Sequence, residues 1–458
     1  MGLFKNKASS FTTNEEGCCD ESAVEPNGII IVNNTLFVMP DGNNLTGLRE
    51  RLDLPYATPW AATLAATSGD TIIVSPGVYA TSSSTDLIAK NGITLHLMKG
   101  AILTFTGTST LIKPLWDQGL AITFSITGQG TINYNTTTAS SSANIMSANS
   151  VYNIELDTWN GYNRLFSTNG SYFKFKANSI NISGSSSFIA WRNSVSTATQ
   201  VYLDCDTYNH TSSYYQILTP IDFRNFSATA ILDIRIKTYK AGYSFAGFGS
   251  FYLSGILGST TIIVNRFIEN DPNVGSRPLI YWIGGAGYID IQFNNVNHTG
   301  GLVTFVSTAV GLLTYGKVKV HGTIDSNASN GVAAVFNTGS KVEFDYDIVL
   351  TDNFTATGTI GVTNTPPTVF FTGKIRHSTS LAAATTSLFV NNNVGGIASA
   401  TPTFNDLTIQ SNADYILNGG GAAIADLRVL NVQSNKPVNA LLFNEVIDTI
   451  IVDALVTV

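Results

Sequence analysis

Two pairs of carboxylates stand two residues apart in strand-like runs, Asp204 with Asp206 and Asp345 with Asp347. Side chains at i and i+2 of a strand share a face about 7 Å apart, within the window of about 6.5–9.5 Å between the acid and base of inverting glycosidases. Either pair is therefore a candidate acid/base couple, and the two are the candidate catalytic residues. A second chemistry is stacking. Trp191, Tyr281 and Trp282 fall in apolar strand-like runs, and aromatic faces of this kind hold sugar rings. They are the candidate binding residues for a saccharide. Metal and nucleophile chemistry find less support: His96, His210, His298, His321 and His377 are scattered, with neither zinc spacing nor a Ser-His-Asp order. No metal site and no cofactor is expected. Cys18, Cys19 and Cys205 make no disulfide framework.

The elements that must carry these residues are strands. Val151–Asp157, Tyr172–Lys176, Val201–Asp206, Leu232–Lys237, Ile289–Phe293, Val318–His321, Val342–Asp347 and Phe371–Arg376 alternate apolar and polar residues, as half-buried strands do. The outward charges flip sign between successive runs: Glu155 and Asp157, then Lys174 and Lys176, then Asp204 and Asp206, then Arg235 and Lys237. Stacked about 4.8 Å apart, such rungs attract one another, each cross-strand pair contributing roughly 0.2–1 kcal/mol and helping to fix the register. That gives the Asp pairs a purely structural role to set against the catalytic one.

Near the C-terminus Asn337, Asn364, Asn391, Asn418 and Asn444 recur at gaps of 27, 27, 27 and 26 residues, each closing a short run that is mostly apolar. A fixed period of this size marks stacked repeats, and one turn residue at one phase predicts an asparagine ladder, amide bonded to amide. If the asparagines point inward, Phe336, Thr363, Val390, Leu417 and Phe443 point outward, a mostly apolar stripe better suited to an intersubunit face than to water. Three solenoids side by side would bury it. The final apolar run, Ile447–Val458, has no capping helix after it, which also predicts a covering subunit or partner.

Ahead of the repeats lie Asp41-Gly42, Pro55-Tyr56-Ala57-Thr58, an Ala-rich helix with Thr58 as N-cap and Pro59 at its first position, and Gly69-Asp70-Thr71-Ile72-Ile73-Val74-Ser75-Pro76-Gly77-Val78-Tyr79. This order, over roughly residues 40–79, resembles the opening of the pectin-lyase-like right-handed parallel β-helices, and most of all those of phage tailspikes and tail fibres. The resemblance implies an all-β solenoid whose helix plugs one end of the core. The superfamily holds pectate lyases, polygalacturonases, tailspikes and non-enzymatic adhesins, so the resemblance is nearly silent on chemistry. Arg235-Ile236-Lys237 is similar to the Arg-Ile-Lys motif of polygalacturonases, but their Asn-Thr-Asp, Asp-Asp and Gly-His-Gly motifs do not accompany it.

The expected organisation is a polar docking tail over residues 1–27, the opening of the β-helix with its capping helix over 28–80, and many coils over 81–458. Charged residues are 12% of the chain, about half the usual share, with Asn, Ser, Thr and Gly supplying the polarity. A net charge of −7 argues against a nucleic-acid partner. No apolar run reaches the 18 or so residues of a membrane span, and the N-terminus lacks the apolar core of a signal peptide. These features together predict a homotrimeric virion fibre or tailspike-like adhesin. It would sit on the particle through its tail, bind a host cell-surface polysaccharide, and be extracellular once particles are released. A depolymerase on the same scaffold and a purely structural decoration protein are the alternatives.

Overall fold

The computed structural model describes residues 23–24, 30–31, 33–81, 87–106, 112–114, 122–135, 150–161, 172–183, 189–192, 200–211, 221–226, 229–241, 250–269, 278–283, 287–299, 301–306, 313–326, 342–352, 358–362, 368–379, 387–391, 401–411, 415–418, 424–435, 442–443, 447–452 and 455–457. These residues are almost entirely β-strand, and they build a parallel β-solenoid. Its long wall is one ladder. Thr35–Val38 pairs with Thr71–Val74, that strand with Ile93–Leu97, and the series continues through Thr123–Gly128, Val151–Gly161, Tyr172–Ile182, Gln200–His210 and Ile231–Ala241. It runs on through Ser259–Glu269, Gly287–Thr299, Leu313–Ser326, Val342–Asp352, Thr368–Thr379, Thr401–Ser411 and Ile424–Leu430 to Ile447–Val452. Every one of these pairings is parallel.

A second wall is described over five consecutive turns: Ile189–Arg192, Ile221–Phe226, Phe251–Ile256, Pro278–Ile283 and Gly301–Val306. A further parallel sheet joins Gly358–Val362, Ser387–Asn391, Tyr415–Asn418 and Leu442–Phe443. Within the first 32 residues, Ala23–Val24 pairs antiparallel with Ile30–Ile31.

The period-two patterning explains the walls directly. In Tyr172–Ile182 the residues Phe173, Phe175, Ala177, Ile180 and Ile182 are buried and their neighbours face out. The strands hold this phase from rung to rung, so like residues stack inside. Tyr208, Tyr239 and Phe267 occupy one register column with ring centroids 4.9 and 4.7 Å apart, and Phe105 stacks on Tyr134 at 5.5 Å. Such pairs add about 0.5–1.5 kcal/mol each beyond the area they bury.

The expected capping helix is present as Pro59–Ala65. The Ala61 N–H donates to the Thr58 hydroxyl at 3.3 Å, and Pro59 occupies the first turn, where its missing N–H costs nothing. Lys90 Nζ closes the other end by donating to the Leu64 and Ala66 carbonyls at 2.6 and 2.7 Å. Trp60, Ala62 and Ala66 join the core beside Leu36, Val38 and Ile72, so the helix shields that end of the apolar interior. Beneath it Arg49 Nε donates to both oxygens of the fully buried Asp70, at 3.0 and 3.1 Å.

Candidate functional site

The outer face of the long wall gathers most of the side chains that can do chemistry. Alternation places Glu155, Lys176, Asp204 and Arg235 in one outward column, with Lys176 opposite Glu155 and Asp204, and Asp204 opposite Arg235. Lys176 Nζ donates to Glu155 at 3.0 Å, and Lys237 stands 3.9 Å from Asp206. Arg235 turns instead to Asp233 on its own strand, at 2.9 and 3.1 Å. The charge alternation along the sequence thus becomes a set of surface pairs, each worth about 0–1 kcal/mol. Asp204 and Asp206 are exposed at the centre of this basic-acidic-basic stack. Between them Cys205 points inward, and burial first, then the flanking aspartates, pushes its thiol far above the usual range. It is an inert core residue.

The second carboxylate pair has a different neighbourhood. Asp345 lies opposite Lys319 and Asp347 opposite His321 and Lys374. His321 Nε2 is 3.7 Å from Asp345 Oδ1, and Arg376 Nη2 donates to Asp347 at 3.2 Å. Two solvent-facing carboxylates, an imidazole and a guanidinium therefore share three adjacent rungs.

Of the candidate stacking residues, Trp191 pairs with Phe223, Tyr281 with Tyr252, and Trp282 with Leu253, all on the second wall. Phe223 and Leu253 are buried core, so Trp191 and Trp282 share a column with interior residues, while Tyr281 shares one with Tyr252 and Asp222. The side chains of these three candidates lie outside the described residues. In the Tyr281 column Asp222 is 1% exposed and takes a bidentate bond from Arg224 (2.7 and 2.9 Å), whose guanidinium lies 4.6 Å over the Tyr252 ring. The Asp222-x-Arg224 spacing was the available signal for this node, which the charge pattern of the other wall overshadows.

The expected ladder of Asn337, Asn364, Asn391, Asn418 and Asn444 falls largely outside the described residues: Asn337, Asn364 and Asn444 entirely, Asn391 and Asn418 in their side chains. The backbone register pairs Asn391 with Val362, and Asn418 with Val390 and Phe443. An amide-to-amide stack needs Asn391 opposite Asn418, and Val390 is there instead. The same register divides the expected apolar stripe between two columns: Ile360, Phe389, Leu417 and Leu442 in one, Gly361, Val390, Asn418 and Phe443 in the other.

An asparagine ladder with described side-chain bonds stands elsewhere. Asn160 Nδ2 donates to Asn133 Oδ1 at 2.8 Å, Asn181 Nδ2 to Asn160 Oδ1 at 2.9 Å, and Asn133 Nδ2 to the Thr104 hydroxyl at 3.2 Å. Asn209 is next in register. Two residues before each asparagine runs a hydroxyl column, Thr131, Thr158, Ser179 and Thr207. The sequence signal is a repeated hydroxyl-x-Asn tripeptide, around Ile132, Trp159, Ile180 and Tyr208. These half-buried ranks repeat at the rung spacing of about 4.8 Å and present a regular array of hydroxyls and amides.

No protein-family model, no curated protein and no solved structure matches the chain.

Proposed function

We propose that the chain is a glycan-binding adhesin of the virion fibre or tailspike type, homotrimeric, docked to its particle through the N-terminal tail, and non-enzymatic. The observation that carries the reading is the pair of hydroxyl and asparagine ranks along a rigid parallel solenoid. A repeating polar surface suits a repeating, hydroxyl-rich polymer. The amides bond to one another, so they are held in place before a ligand arrives, and little ordering cost remains to be met on binding. Several of the outward charges find a partner on the wall itself, which gives them a structural role.

The direct test is binding of the full-length chain to immobilised surface polysaccharides from a panel of bacteria, followed by sizing of the polysaccharide after prolonged contact. An adhesin retains its polymer at unchanged length. Absence of binding to every polysaccharide would sink the reading in favour of a structural protein.

One observation favours a second reading, a depolymerase: His321 and Arg376 stand beside Asp345 and Asp347. That arrangement suits acid/base cleavage of a glycosidic bond, with one carboxyl group protonating the leaving oxygen and the other activating water. Shortened polysaccharide in the sizing experiment, abolished in Asp345→Asn or Asp347→Asn, would establish it.

A further inference from the structure

We propose that Tyr172, Lys174 and Tyr202 form a subsite for an acidic sugar on the outer face of the long wall, an assignment that rests on the glycan-binding reading and gives it a place and a ligand class. All three residues are at the outward phase of adjacent rungs, alternating with the buried Phe173, Phe175, Val201 and Leu203. The two tyrosine rings have centroids 5.5 Å apart and are tilted by 42°. The Tyr202 hydroxyl bonds Gln200 Oε1 at 3.4 Å, and Gln200 is itself the register partner of Tyr172. Tilted rings held this way offer a shallow apolar trough with an amide at its rim, matched to the C–H face of one pyranose ring and its hydroxyls.

Lys174 supplies the class. It is the register partner of Tyr202 and follows Tyr172 by two residues, which places it about 5–7 Å from each along the wall. The neighbouring cations are neutralised, Lys176 by Glu155 and Arg235 by Asp233. Among the described residues Lys174 has no carboxylate partner. A cation with no carboxylate partner among the described residues, standing beside a stacking platform, complements a sugar carboxylate. A protein partner would need a broad apolar patch, and the register partners of the two tyrosines are Gln200, Lys174 and Asp233 beside the single apolar Val151.

The experiment uses the full-length chain and oligosaccharides containing hexuronate or sialate, each paired with its carboxyl-reduced form, with affinities measured at low and high salt. The expected result is a preference of about tenfold for at least one acidic oligosaccharide over its reduced form, weakened by salt. Lys174→Gln removes that preference while leaving the reduced form bound as before. Tyr202→Ala weakens both forms about tenfold, and Tyr202→Leu, which keeps apolar bulk at the position, reports the same loss if the alanine variant fails to fold. Saccharide binding that neither Lys174→Gln nor the Tyr202 variants move would overturn the subsite and leave glycan adhesion standing. Binding lost in the Tyr202 variants but indifferent to the carboxylate would overturn the acidic class. A wild-type chain that binds no saccharide overturns the subsite and the adhesin reading together.

Discussion

At the scale of single residues, the clearest energetic commitment is Asp70. A carboxylate with no solvent exposure is expensive unless its oxygens are fully bonded. Here Arg49 Nε reaches both oxygens, while the Thr67 N–H and hydroxyl donate to Oδ2 at 2.7 and 3.0 Å. Burial raises the Asp70 pKa, the bonds from Arg49 and Thr67 outweigh that, and the carboxyl ends below its ordinary value. Because the folded pKa is the lower one, the stabilisation is complete above the unfolded value of about 4 and is lost as pH falls through the folded value. We therefore expect Asp70→Asn to weaken the capped end by roughly 1–3 kcal/mol at neutral pH. The difference from wild type should shrink as pH falls through the folded value, below which the native carboxyl is also neutral. Hydrogen exchange of the Thr35–Val38 strand measures it locally, since a solenoid opens in parts. A gap that stays constant with pH would mean the carboxylate charge contributes nothing.

At the scale of elements, the corners matter as much as the strands. Gly128 ends Thr123–Gly128 at φ +108°, and Gln129 then donates to the Leu97 carbonyl at 2.9 Å, turning the chain towards Thr131–Tyr134. A Cβ at Gly128 would lie 2.1 Å from the Leu97 carbonyl oxygen, which is backbone and cannot swing away. Gly128→Ala should cost roughly 1–3 kcal/mol from the backbone conformation alone, with the clash added, read as a lower urea midpoint. An unchanged midpoint would show that the corner can be rebuilt. The alternating strands and the capping helix were legible in the sequence because both rest on local rules: period-two burial in Tyr172–Ile182, and Thr58 with Pro59 at the helix start. The asparagine ladder was harder to read for a physical reason. Spacing along the chain counts loop residues, whereas a ladder depends only on register. Asn133, Asn160 and Asn181 bond in series although their gaps are 27 and 21 residues, because loops of different length absorb the difference. Asn391 and Asn418, a constant 27 apart, are one residue out of register. The Asp204 and Asp206 pair was visible, but its surroundings depend on whether Arg235 reaches along its strand or across to the next, which no spacing decides.

At the scale of the whole molecule, a solenoid distributes its stability along its axis, each rung held by the two beside it. Such an object has sides rather than a single closed surface, and the sheet from Gly358 to Phe443 is the side that argues for company. Its two columns are Ile360, Phe389, Leu417 and Leu442, and Gly361, Val390, Asn418 and Phe443. Both columns carry apolar residues, Val390 and Phe443 in one and Ile360, Phe389, Leu417 and Leu442 in the other, which fits the proposal that sister chains cover this sheet. Three chains around an axis cover them by symmetry, with each side meeting its neighbours at the same level. We expect light scattering of the purified chain to give about three times its mass of 48.9 kDa, unchanged on dilution. If the Val390 column is the one that meets the sister chains, Val390→Glu or Phe443→Glu shifts the assembly towards monomer, since a charge in the centre of an apolar contact is left unpaired there. A monomer in the wild type would overturn the trimer. The covering of this face would then have to come from the chain itself, and a saccharide bound on the long wall would meet one copy of each subsite instead of three.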